Sequence, residues 1–502
     1  MQTSPTDPYP QHIDHTLSER SAEIEPFLQT AGVTELFHTP DQLAYATILN
    51  AGHAEHWPLA SRTFRLWIKN HLYHLSGSVP PDRMVSQLLA TLEGHALFDG
   101  PEHRVFVRIA EADSAIYLDL ANDQWQAVEI TSDGWQVVDN PPVKFRRPRG
   151  MAPLPTPERN GNLDDLRDFI NLTTEADWVL VSAWLVNAFR PTGPYPILML
   201  HGEQGTAKST TTRILRHLID PNESPLRTVP RNDRDLMIAA SNAWVHAFDN
   251  LSYLPLWFAD ALCRLATGGG FSTRKLRTDD DEVLFSSRLP LILTSIGELA
   301  TRGDLLERAI VLHLPHIPRH KRITEQQFWQ TFEAKRPVLL GALLDIVSAA
   351  LRNLPRVKLE APPRMADFAE WSCAAAEACA WRIQTPNELE KDDVAFLSAY
   401  SENITATQHL LLDTAMAQSL ERLVHRQPWH GTHTDLLDVL RSMVGPGHLR
   451  ELPQTARALS AELDRLIPSL RTIGVRIERA RKREAGTGQR IITLRREEAA
   501  QL

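Results

Sequence analysis

The sequence contains few cysteines and no apolar run long enough to cross a membrane. The three cysteines are an odd number and lack the paired spacing of a zinc site. They exclude a disulfide framework and predict reduced thiols in a cytoplasmic protein. The longest apolar stretch, from Trp178 to Phe189, is shorter than the roughly 20 residues that span a bilayer. We therefore expect a buried helix there and no membrane partner.

An excess of positive charge is also absent. The formal net charge is −9 over 502 residues, so the chain as a whole is not a polycation. A nucleic-acid contact would need a local basic patch. The first residues are polar and contain proline, which is not the pattern of a secretory signal. A chain of this length, with 43% hydrophobic residues, can bury the cores of two to four domains.

Changes in periodicity and proline content divide the chain into six segments. Short apolar runs between turn residues predict an α+β region, and a stretch rich in proline and arginine then predicts a linker. Strands and helices alternate after the linker, which is typical of an α/β core with buried parallel strands. The predicted order is a disordered tail over 1–24, an α+β accessory domain over 25–140, a linker over 141–161, an α/β core over 162–317, a helical region over 318–427 and a terminal domain over 428–502.

A strand, a glycine-containing loop and a helix that begins with Lys-Ser follow one another from Pro196 to about Pro221. Backbone N–H groups of such a loop, together with the helix N-terminus, form a cradle for phosphate. Lys208 would contact the β- and γ-phosphates of ATP, and the Ser209 hydroxyl would hold Mg²⁺. A chance match to the short pattern is the alternative. The predicted nucleotide-contacting residues are Gly202, Glu203, Gln204, Gly205, Thr206, Ala207, Lys208, Ser209 and Thr210.

Ala207 occupies the position at which the standard loop has its last glycine. Glycine is needed there only where φ is positive or where the backbone approaches another group closely. Because Gly202 and Gly205 are available for the turn, we expect the φ angle of Ala207 to be negative.

A second apolar run ends at Asp249. A carboxylate at a strand end beside the phosphate loop can orient the water shell of Mg²⁺, and capping of a helix is the alternative role. Many such ATPases have a glutamate at the next position, where it polarises the attacking water, but this chain has Asn250. Because an amide cannot act as a base, either another carboxylate takes that role or hydrolysis is slow.

A third strand ends at Thr294, and Arg302 and Arg308 follow it. Thr294 is placed to hold the γ-phosphate or the attacking water. Either arginine could reach the phosphate of a neighbouring subunit and stabilise the charge that develops in phosphoryl transfer. The alternative is that both arginines form surface ion pairs with Asp304 and Glu307.

In this order of motifs, the chain from about Pro196 to Pro315 resembles the AAA+ superfamily 3 helicases, particularly the helicase domains of phage and plasmid primase-helicases. The stretches that carry the resemblance are "LCRLATGGGFSTRKLRTDDDEVLF", "LILTS" and "ERAIVLHL". The resemblance implies an AAA+ phosphate-loop ATPase that assembles into a hexamer. It also implies a hairpin that contacts single-stranded DNA in the channel, with Arg274 and Lys275 as candidate contacts. A glycine turn with solvated basic residues is the alternative.

The chain departs from the family pattern at Ala207, at Asn250, at Thr294, where the family has asparagine, and at Gly270, where an acidic residue is expected. Nucleotide binding survives such changes more easily than fast turnover does. The sequence shows neither a zinc spacing nor a carboxylate trio for nucleotide polymerisation, so we expect no primase activity.

The terminal segment has the order helix, helix, hairpin of a winged helix. We expect Thr434 to cap its first helix and a turn near Pro468 to separate its second and third helices. Basic residues gather in and beside the hairpin, where phosphate neutralisation would support DNA binding. A winged helix used for protein contacts is the alternative. The candidate DNA contacts are Arg471 on the predicted recognition helix and Arg476, Arg479, Arg481, Lys482, Arg483 and Arg490.

These features together predict an ATP-driven, ring-forming DNA helicase or translocase of the mobile-element replication type, with single-stranded DNA in its channel and duplex DNA at the winged helix. A second hypothesis is a nucleotide-dependent DNA-binding switch that hydrolyses slowly, which Asn250 favours. A third is a regulatory or defence ATPase without unwinding activity.

Overall fold

The structure is a computed structural model that describes residues 31–269, 271–274, 282–285, 288–297, 303–381, 392–412, 414–445, 449, 452–484 and 487–497. The predicted tail over residues 1–24 lies outside the described residues. The chain divides into two compact units, one of residues 1–131 and 135–154 and the other of residues 132–134 and 155–502. Both units mix helices with sheets, as the sequence predicts for an α/β protein.

The first unit begins with an antiparallel sheet packed against two helices. Its elements are β1 (Val33–His38), β2 (Ala44–Asn50), β3 (His53–Pro58), α1 (Arg62–Ser76) and α2 (Asp82–Phe98). The Ser61 side chain accepts a hydrogen bond from Phe64 N and so caps α1, and Gly77 ends α1 in a left-handed conformation with φ 67°. Phe64 and Leu92 are fully buried in the shared core of sheet and helices.

A four-stranded antiparallel meander completes the first unit. It has the strand order β5 (Ile109–Ala112), β6 (Ala115–Asp119), β7 (Ala127–Thr131) and β8 (Gly134–Val138). The alternating apolar pattern predicts this meander, and the prediction is confirmed. A short parallel pair, β4 (Val105–Phe106) and β9 (Lys144–Phe145), adjoins it.

The proline-rich stretch predicted as a linker is divided between the two units. Its first part packs into the first unit, where Phe145 and Leu154 are 3% and 4% exposed and Leu154 N donates to Leu120 O. Its last part packs on a helix of the second unit, where a side chain on Gly341 would overlap the carbonyl oxygen of Glu158. Apolar residues between the prolines find buried sites, and composition alone does not reveal them.

A four-stranded parallel sheet forms the centre of the second unit. Its strands are β10 (Ile197–His201), β11 (His246–Leu251), β14 (Leu291–Ser295) and β15 (Ala309–His313), in the spatial order β11-β14-β10-β15. The first three were predicted from short apolar runs, and those predictions are confirmed. All strands run in the same direction, so their carboxyl ends meet at one edge of the sheet.

One helix, α3 (Glu175–Asn187), precedes the first strand of this sheet along the chain. The chain connections between the strands contain α4 (Lys208–Ile219), α5 (Asp233–Ala240), α6 (Leu256–Thr267) and α7 (Gly303–Leu306). The sequence predicts a cap at Thr173 or Thr174, and Thr174 caps α3 in a capping box with Asp177. The apolar stretch from Trp178 to Phe189 is buried and lies in this helix up to Asn187.

An antiparallel hairpin of β12 (Phe271–Arg274) and β13 (Glu282–Phe285) is inserted between α6 and β14. Its strands occupy the stretch for which the sequence predicts a hairpin. Arg274 pairs in register with Glu282, at the end of the hairpin that leads into the turn. Lys275 and Gly270 lie outside the described residues.

The helical region contains α8 (Glu325–Asn353), α9 (Ala366–Cys379), α10 (Asp392–Leu412) and α11 (Ala415–Arg426). Among the described residues, the segment Glu325–Arg356 is long and apolar enough to cross a membrane by length and composition alone. Of its most apolar window, 61% is buried within the protein, as in a core helix. Cys263 is buried, whereas Cys373 and Cys379 are partly exposed, and none of these cysteines forms a disulfide.

The terminal segment contains β16 (Trp429–Gly431), α12 (His433–Met443), α13 (Ala456–Thr472), β17 (Val475–Glu484) and β18 (Thr487–Arg496). The strands form an antiparallel sheet in the order β16-β18-β17. The predicted cap was wrong, because the capping box that begins α12 is formed by Thr432 and Asp435, two residues before Thr434.

The predicted turn near Pro468 was also wrong, because α13 is one helix that continues through that residue. Leu459, Leu463, Leu466 and Leu470 recur at helical spacing on both sides of it, and all are 2% exposed or less. Burial of each leucine is worth about 1.5–3 kcal/mol, which together exceeds the roughly 3 kcal/mol that an interior proline costs.

Candidate functional site

The loop between β10 and α4 contains three residues with positive φ angles, which residues other than glycine seldom adopt. The φ angles are 155° at Gly202, 87° at Gly205 and 66° at Ala207. Thr206 is buried, and its hydroxyl donates to Glu203 O at 3.0 Å, which closes the loop on itself. The loop leads directly into the N-terminus of α4, where unpaired backbone N–H groups and the positive end of the helix dipole favour an anion.

The conformation of Ala207 differs from the negative φ expected from the sequence. Its φ of 66° and ψ of 24° lie in the left-handed region, which costs a residue with a Cβ about 1–2 kcal/mol. The glycine that usually occupies this position is therefore required by backbone angle. The fold of this loop holds Ala207 in the same conformation at an energetic cost.

Lys208 points back into the loop. Its Nζ donates to the carbonyl oxygens of Gly202 at 2.6 Å and Glu203 at 2.8 Å. Burial lowers the pKa of Lys208, and the charge of Asp249 partly offsets that effect. The ammonium group thus lies within the concavity, bonded to carbonyl oxygens that an anionic ligand could replace.

Asp249 holds the ends of three elements together. It accepts hydrogen bonds from the Ser209 hydroxyl, at 2.9 Å to Oδ1 and 3.0 Å to Oδ2, and from the Thr294 hydroxyl at 2.5 Å. The alternative role as a helix cap is not observed, because the next helix is preceded by Pro255. The backbone N–H of Asn250 donates to the Thr294 hydroxyl at 2.8 Å, and Asn250 has a φ of 55°. The structure therefore brings these predicted site residues together at one edge of the sheet.

The pairing of Ser209 with Asp249 suits a hard divalent cation. Among the described residues there is no group of three or more His, Cys, Asp or Glu side chains that could hold a metal. Mg²⁺ does not need such a group, because it is commonly held by one or two protein oxygens together with substrate phosphates and water. A hydroxyl and a carboxylate oxygen 2.9 Å apart, beside the loop between β10 and α4, are ligands of that kind.

Two residues that were not predicted from the sequence, His201 and Asn171, form hydrogen bonds beside the loop. His201 Nδ1 lies 2.7 Å from the Ser295 hydroxyl and 3.0 Å from Gly297 O, and burial lowers the pKa of His201 to about 4. Asn171 Nδ2 donates to the backbone oxygens of Thr206 and Pro315. Neither belongs to a recognisable motif, since each acts through residues distant in sequence.

Arg308 lies at the opposite edge of the parallel sheet. It directly precedes β15, and Ala309 pairs with Ile197 at the beginning of β10, whereas the phosphate loop follows the end of β10. Arg308 therefore cannot contact a ligand in its own chain's loop. Arg302 lies outside the described residues.

Arg308 lines a cleft of about 280 Å³ together with Arg288 and Arg364. Arg308 Nη1 donates to Asp304 O at 2.5 Å, and Arg288 Nη1 donates to Gly193 O at 2.8 Å. Glu307 forms an ion pair with Arg364, so it is engaged by a different arginine from the one considered in the sequence-based alternative. Three arginines and one aspartate, Asp367, thus line this small concave space.

The basic residues of the terminal sheet fall into two groups. Arg476 pairs with Glu497, and Arg479 pairs with Asp464 at 2.6 Å, so their charges are locally compensated. Arg471 is exposed near the end of α13. The second group lies on β17 and β18 toward their connecting turn, with side chains outside the described part of the structure, and comprises Arg481, Lys482, Arg483 and Arg490.

Two family models that match the chain define a replication-associated protein of mobile elements. The chain belongs to the actinomycete integrative conjugative element replication proteins. The family's principal model matches residues 163–395 and its C-terminal-domain model matches residues 416–501. These matches include the parallel sheet, the phosphate loop and the terminal three-stranded sheet.

Solved structures that match the chain include the A-form apo structure of the NrS-1 C-terminal region, at 12% identity and a TM-score of 0.41, over 93% of this chain and 97% of that chain. The A-form apo structure of NrS-1 residues 305–718 matches at 10% identity and a TM-score of 0.38, with the same shares covered. No curated protein matches the chain.

We expect Ala207→Gly to raise the Tm of the protein. The left-handed conformation costs alanine about 1–2 kcal/mol, whereas the larger entropy of glycine in the unfolded chain costs about 0.5–1 kcal/mol. The net gain is up to about 1.5 kcal/mol, measurable by scanning calorimetry. Ala207→Ser keeps the left-handed penalty and serves as the matched control. A Tm for Ala207→Gly at or below that of Ala207→Ser would contradict the positive φ.

Proposed function

We propose that the chain is a Mg²⁺-dependent ATPase with a phosphate-loop core of the AAA+ type, and that it acts as a DNA motor in replication of its mobile element. The observation that carries the proposal is that Lys208 bonds to the carbonyl oxygens of the loop while Ser209, the next residue, is bonded to Asp249. Cationic, hydroxyl and carboxylate groups in that order supply what a Mg²⁺–triphosphate requires.

Each side chain has a distinct task in this proposal. Lys208 exchanges its bonds to the carbonyl oxygens of Gly202 and Glu203 for bonds to phosphate oxygens. Ser209 and Asp249, already in contact, hold the metal and its water shell. When bound, Mg²⁺ neutralises the charge that develops on the transferred phosphoryl group. The remaining predicted nucleotide contacts follow the loop as Gly202, Glu203, Gln204, Gly205, Thr206, Ala207 and Thr210.

The two candidate functions, a DNA motor and a slowly hydrolysing switch, differ in whether a catalytic base is available. Asn250 lies next to Asp249, but its amide cannot accept a proton, and its backbone N–H is bonded to Thr294. Thr294 donates to Asp249, so it is placed to transmit a change at the metal site to the end of β14. A slowly hydrolysing DNA-binding switch is the second candidate, and Asn250 is the observation that favours it.

The position of Arg308 favours action between copies of the chain. Because Arg308 and the phosphate loop lie at opposite edges of one sheet, a head-to-tail arrangement would place the arginine of one copy beside the loop of the next. Such heterologous interfaces close into rings, and a homo-hexamer is the proposed assembly. Arg302 is a further candidate for the same role.

Two elements are proposed to contact DNA. Arg274 is the last residue of β12 in the β12–β13 hairpin, and Lys275 follows it in the sequence. With helices α12 and α13 and a three-stranded sheet, the terminal segment fits a winged helix, whose hairpin would place its basic residues on the phosphate backbone. Contact of the winged helix with protein alone, in a regulatory or defence ATPase, is the third candidate function.

We expect the purified protein to hydrolyse ATP, and we expect single-stranded DNA to stimulate that hydrolysis. Lys208→Ala should reduce the rate to background, because no other side chain of the loop carries positive charge. A steady-state phosphate-release assay with and without DNA measures both effects. Slow hydrolysis that depends on DNA would favour the switch, whereas hydrolysis indifferent to DNA would favour the regulatory ATPase. An unaffected Lys208→Ala variant would contradict nucleotide binding at this loop.

Neutralising the turn side of the terminal hairpin should weaken DNA binding and flatten its salt dependence. Each phosphate of duplex DNA that the protein no longer neutralises reduces the slope of log K against log salt by about 0.9. Fluorescence anisotropy titrations at several salt concentrations would compare Arg481→Ala/Lys482→Ala/Arg483→Ala with the matched variant Arg476→Ala/Arg479→Ala. The matched variant should change the slope less, since its arginines are paired with Glu497 and Asp464. Equal slopes for both variants and the wild type would remove the hairpin from DNA binding.

Mixing two inactive variants should restore hydrolysis if Arg308 acts on the next copy. In a random mixture of Arg308→Ala and Lys208→Ala chains, about a quarter of the interfaces in a closed ring would join an intact loop to an intact arginine. The ATPase rate of the mixture should therefore approach that fraction of the wild-type rate. A mixture of Lys208→Ala with Asp249→Ala is the control, because both defects lie on the loop side. Recovery no greater than in this control would contradict a role between copies.

A further inference from the structure

The segment that follows β15, residues 314–322, packs beside the phosphate loop. Leu314 N donates to His201 O at 2.8 Å, at the point where the loop begins. Asn171 Nδ2 donates both to Pro315 O at 2.5 Å and to Thr206 O at 3.1 Å, so one amide joins the segment to the loop. A Cβ on Gly202 would lie 2.8 Å from Leu314 O. These contacts fix the position of the segment relative to the loop.

Arg322 and His316 of this segment lie over the middle of the loop. A Cβ built on Gly205 would lie 3.8 Å from Arg322 Nη2 and 3.9 Å from His316 Nε2. The guanidinium of Arg322 is held by residues of its own segment. Its Nε donates to Ile317 O at 3.3 Å, and its Nη2 lies 3.1 Å from His316 Nε2. Gly205 is exposed and has a φ of 87°, so no side chain separates the loop backbone from the guanidinium.

We propose that Arg322 is a second phosphate-contacting cation of the same chain, positioned by His316, and that it favours a triphosphate over a diphosphate. This inference rests on the proposed nucleotide binding. Loop N–H groups hold phosphate oxygens at about 3 Å, so a guanidinium within 4 Å of the position beside Gly205 lies within one side-chain movement of those oxygens. The five N–H donors of arginine can keep the bond to Ile317 O and still bind phosphate.

The proposal differs from the role of Arg308, which lies at the other edge of the sheet. Arg322 comes from the chain that owns the loop, so its effect should appear in nucleotide binding whether or not copies assemble. Lys208 reaches the concavity from the helix side and Arg322 from the segment after β15. A ligand bound between them would have cations on two sides, an arrangement that rewards the additional negative charge of a third phosphate.

The test is a fluorescence titration of the full chain with labelled ATP and ADP analogues in the presence of Mg²⁺. Arg322→Ala should weaken binding of the ATP analogue about tenfold, the scale of one hydrogen bond to a charged group, and should weaken the ADP analogue less. Arg322→Lys should recover part of the difference. Arg319→Ala is the matched control, since it removes an arginine from the same segment, three residues earlier, and should bind both analogues as the wild type does.

The outcomes separate this inference from the function on which it rests. If the wild type binds ATP and Arg322→Ala has an unchanged preference for ATP over ADP, the inference is overturned and nucleotide binding stands. Equal weakening of both analogues with a lowered Tm would assign Arg322 a structural role only, and also overturns it. If the wild type binds neither analogue at high magnesium, the inference and the proposed function fail together.

Discussion

The carboxylate of Asp249 is the contact on which the arrangement of this site depends. It accepts hydrogen bonds from Ser209 in the first turn of α4 and from Thr294 near the end of β14, and it lies two residues before the end of β11. Parallel strands bring their carboxyl ends to one edge, but they do not fix the positions of individual side chains. A partly buried carboxylate that accepts several hydrogen bonds fixes those positions, because each donor left unpaired would cost about 1–3 kcal/mol.

The strained backbone at Ala207 and Asn250 has different consequences for the proposed nucleotide binding and for the proposed hydrolysis. Ala207 and Asn250 both have positive φ angles, 66° and 55°, and each flanks a residue proposed to contact the metal or the phosphates. Such conformations persist only where the surrounding structure imposes them. At position 207 the alanine adopts the left-handed conformation that glycine adopts readily. At position 250 the conformation accompanies a bond from the backbone N–H to Thr294, but the amide side chain supplies no base. In the proposed function, the strained backbone therefore serves binding, and Asn250 does not serve hydrolysis as a base.

Local patterns made part of this structure predictable from the sequence. The cap at Thr174, the buried parallel strands and the loop around Lys208 depend on neighbours within a few residues, and all were found. The continuous helix through Pro468 was missed, because burial of residues on both sides outweighs the local preference of proline. Asn171 and Arg322 were missed for a related reason: each has a partner more than a hundred residues away in sequence, and only the fold brings them to the loop. The positive φ of Ala207 was not predicted, because the presence of Gly202 and Gly205 nearby does not reveal which residues of the loop adopt left-handed angles.

The two edges of the central sheet impose different constraints on its arginines. Arg322 lies at the edge of the phosphate loop and is tethered to it through the segment after β15, so one copy of the chain contains it and the loop together. Arg308 precedes the same strand, and five residues of β15 separate the two edges, a distance of roughly 16 Å in a parallel strand. No rotation of one arginine side chain covers that distance. In the proposed function, β15 therefore lies between two arginines, one that serves the loop of its own chain and one that serves the loop of a neighbouring copy. Any change in how the loop holds its ligand would act on β15 at one end and could be transmitted along a rigid strand to the cleft at the other. Coupling between neighbouring copies would then need no flexible connection, only the strand itself.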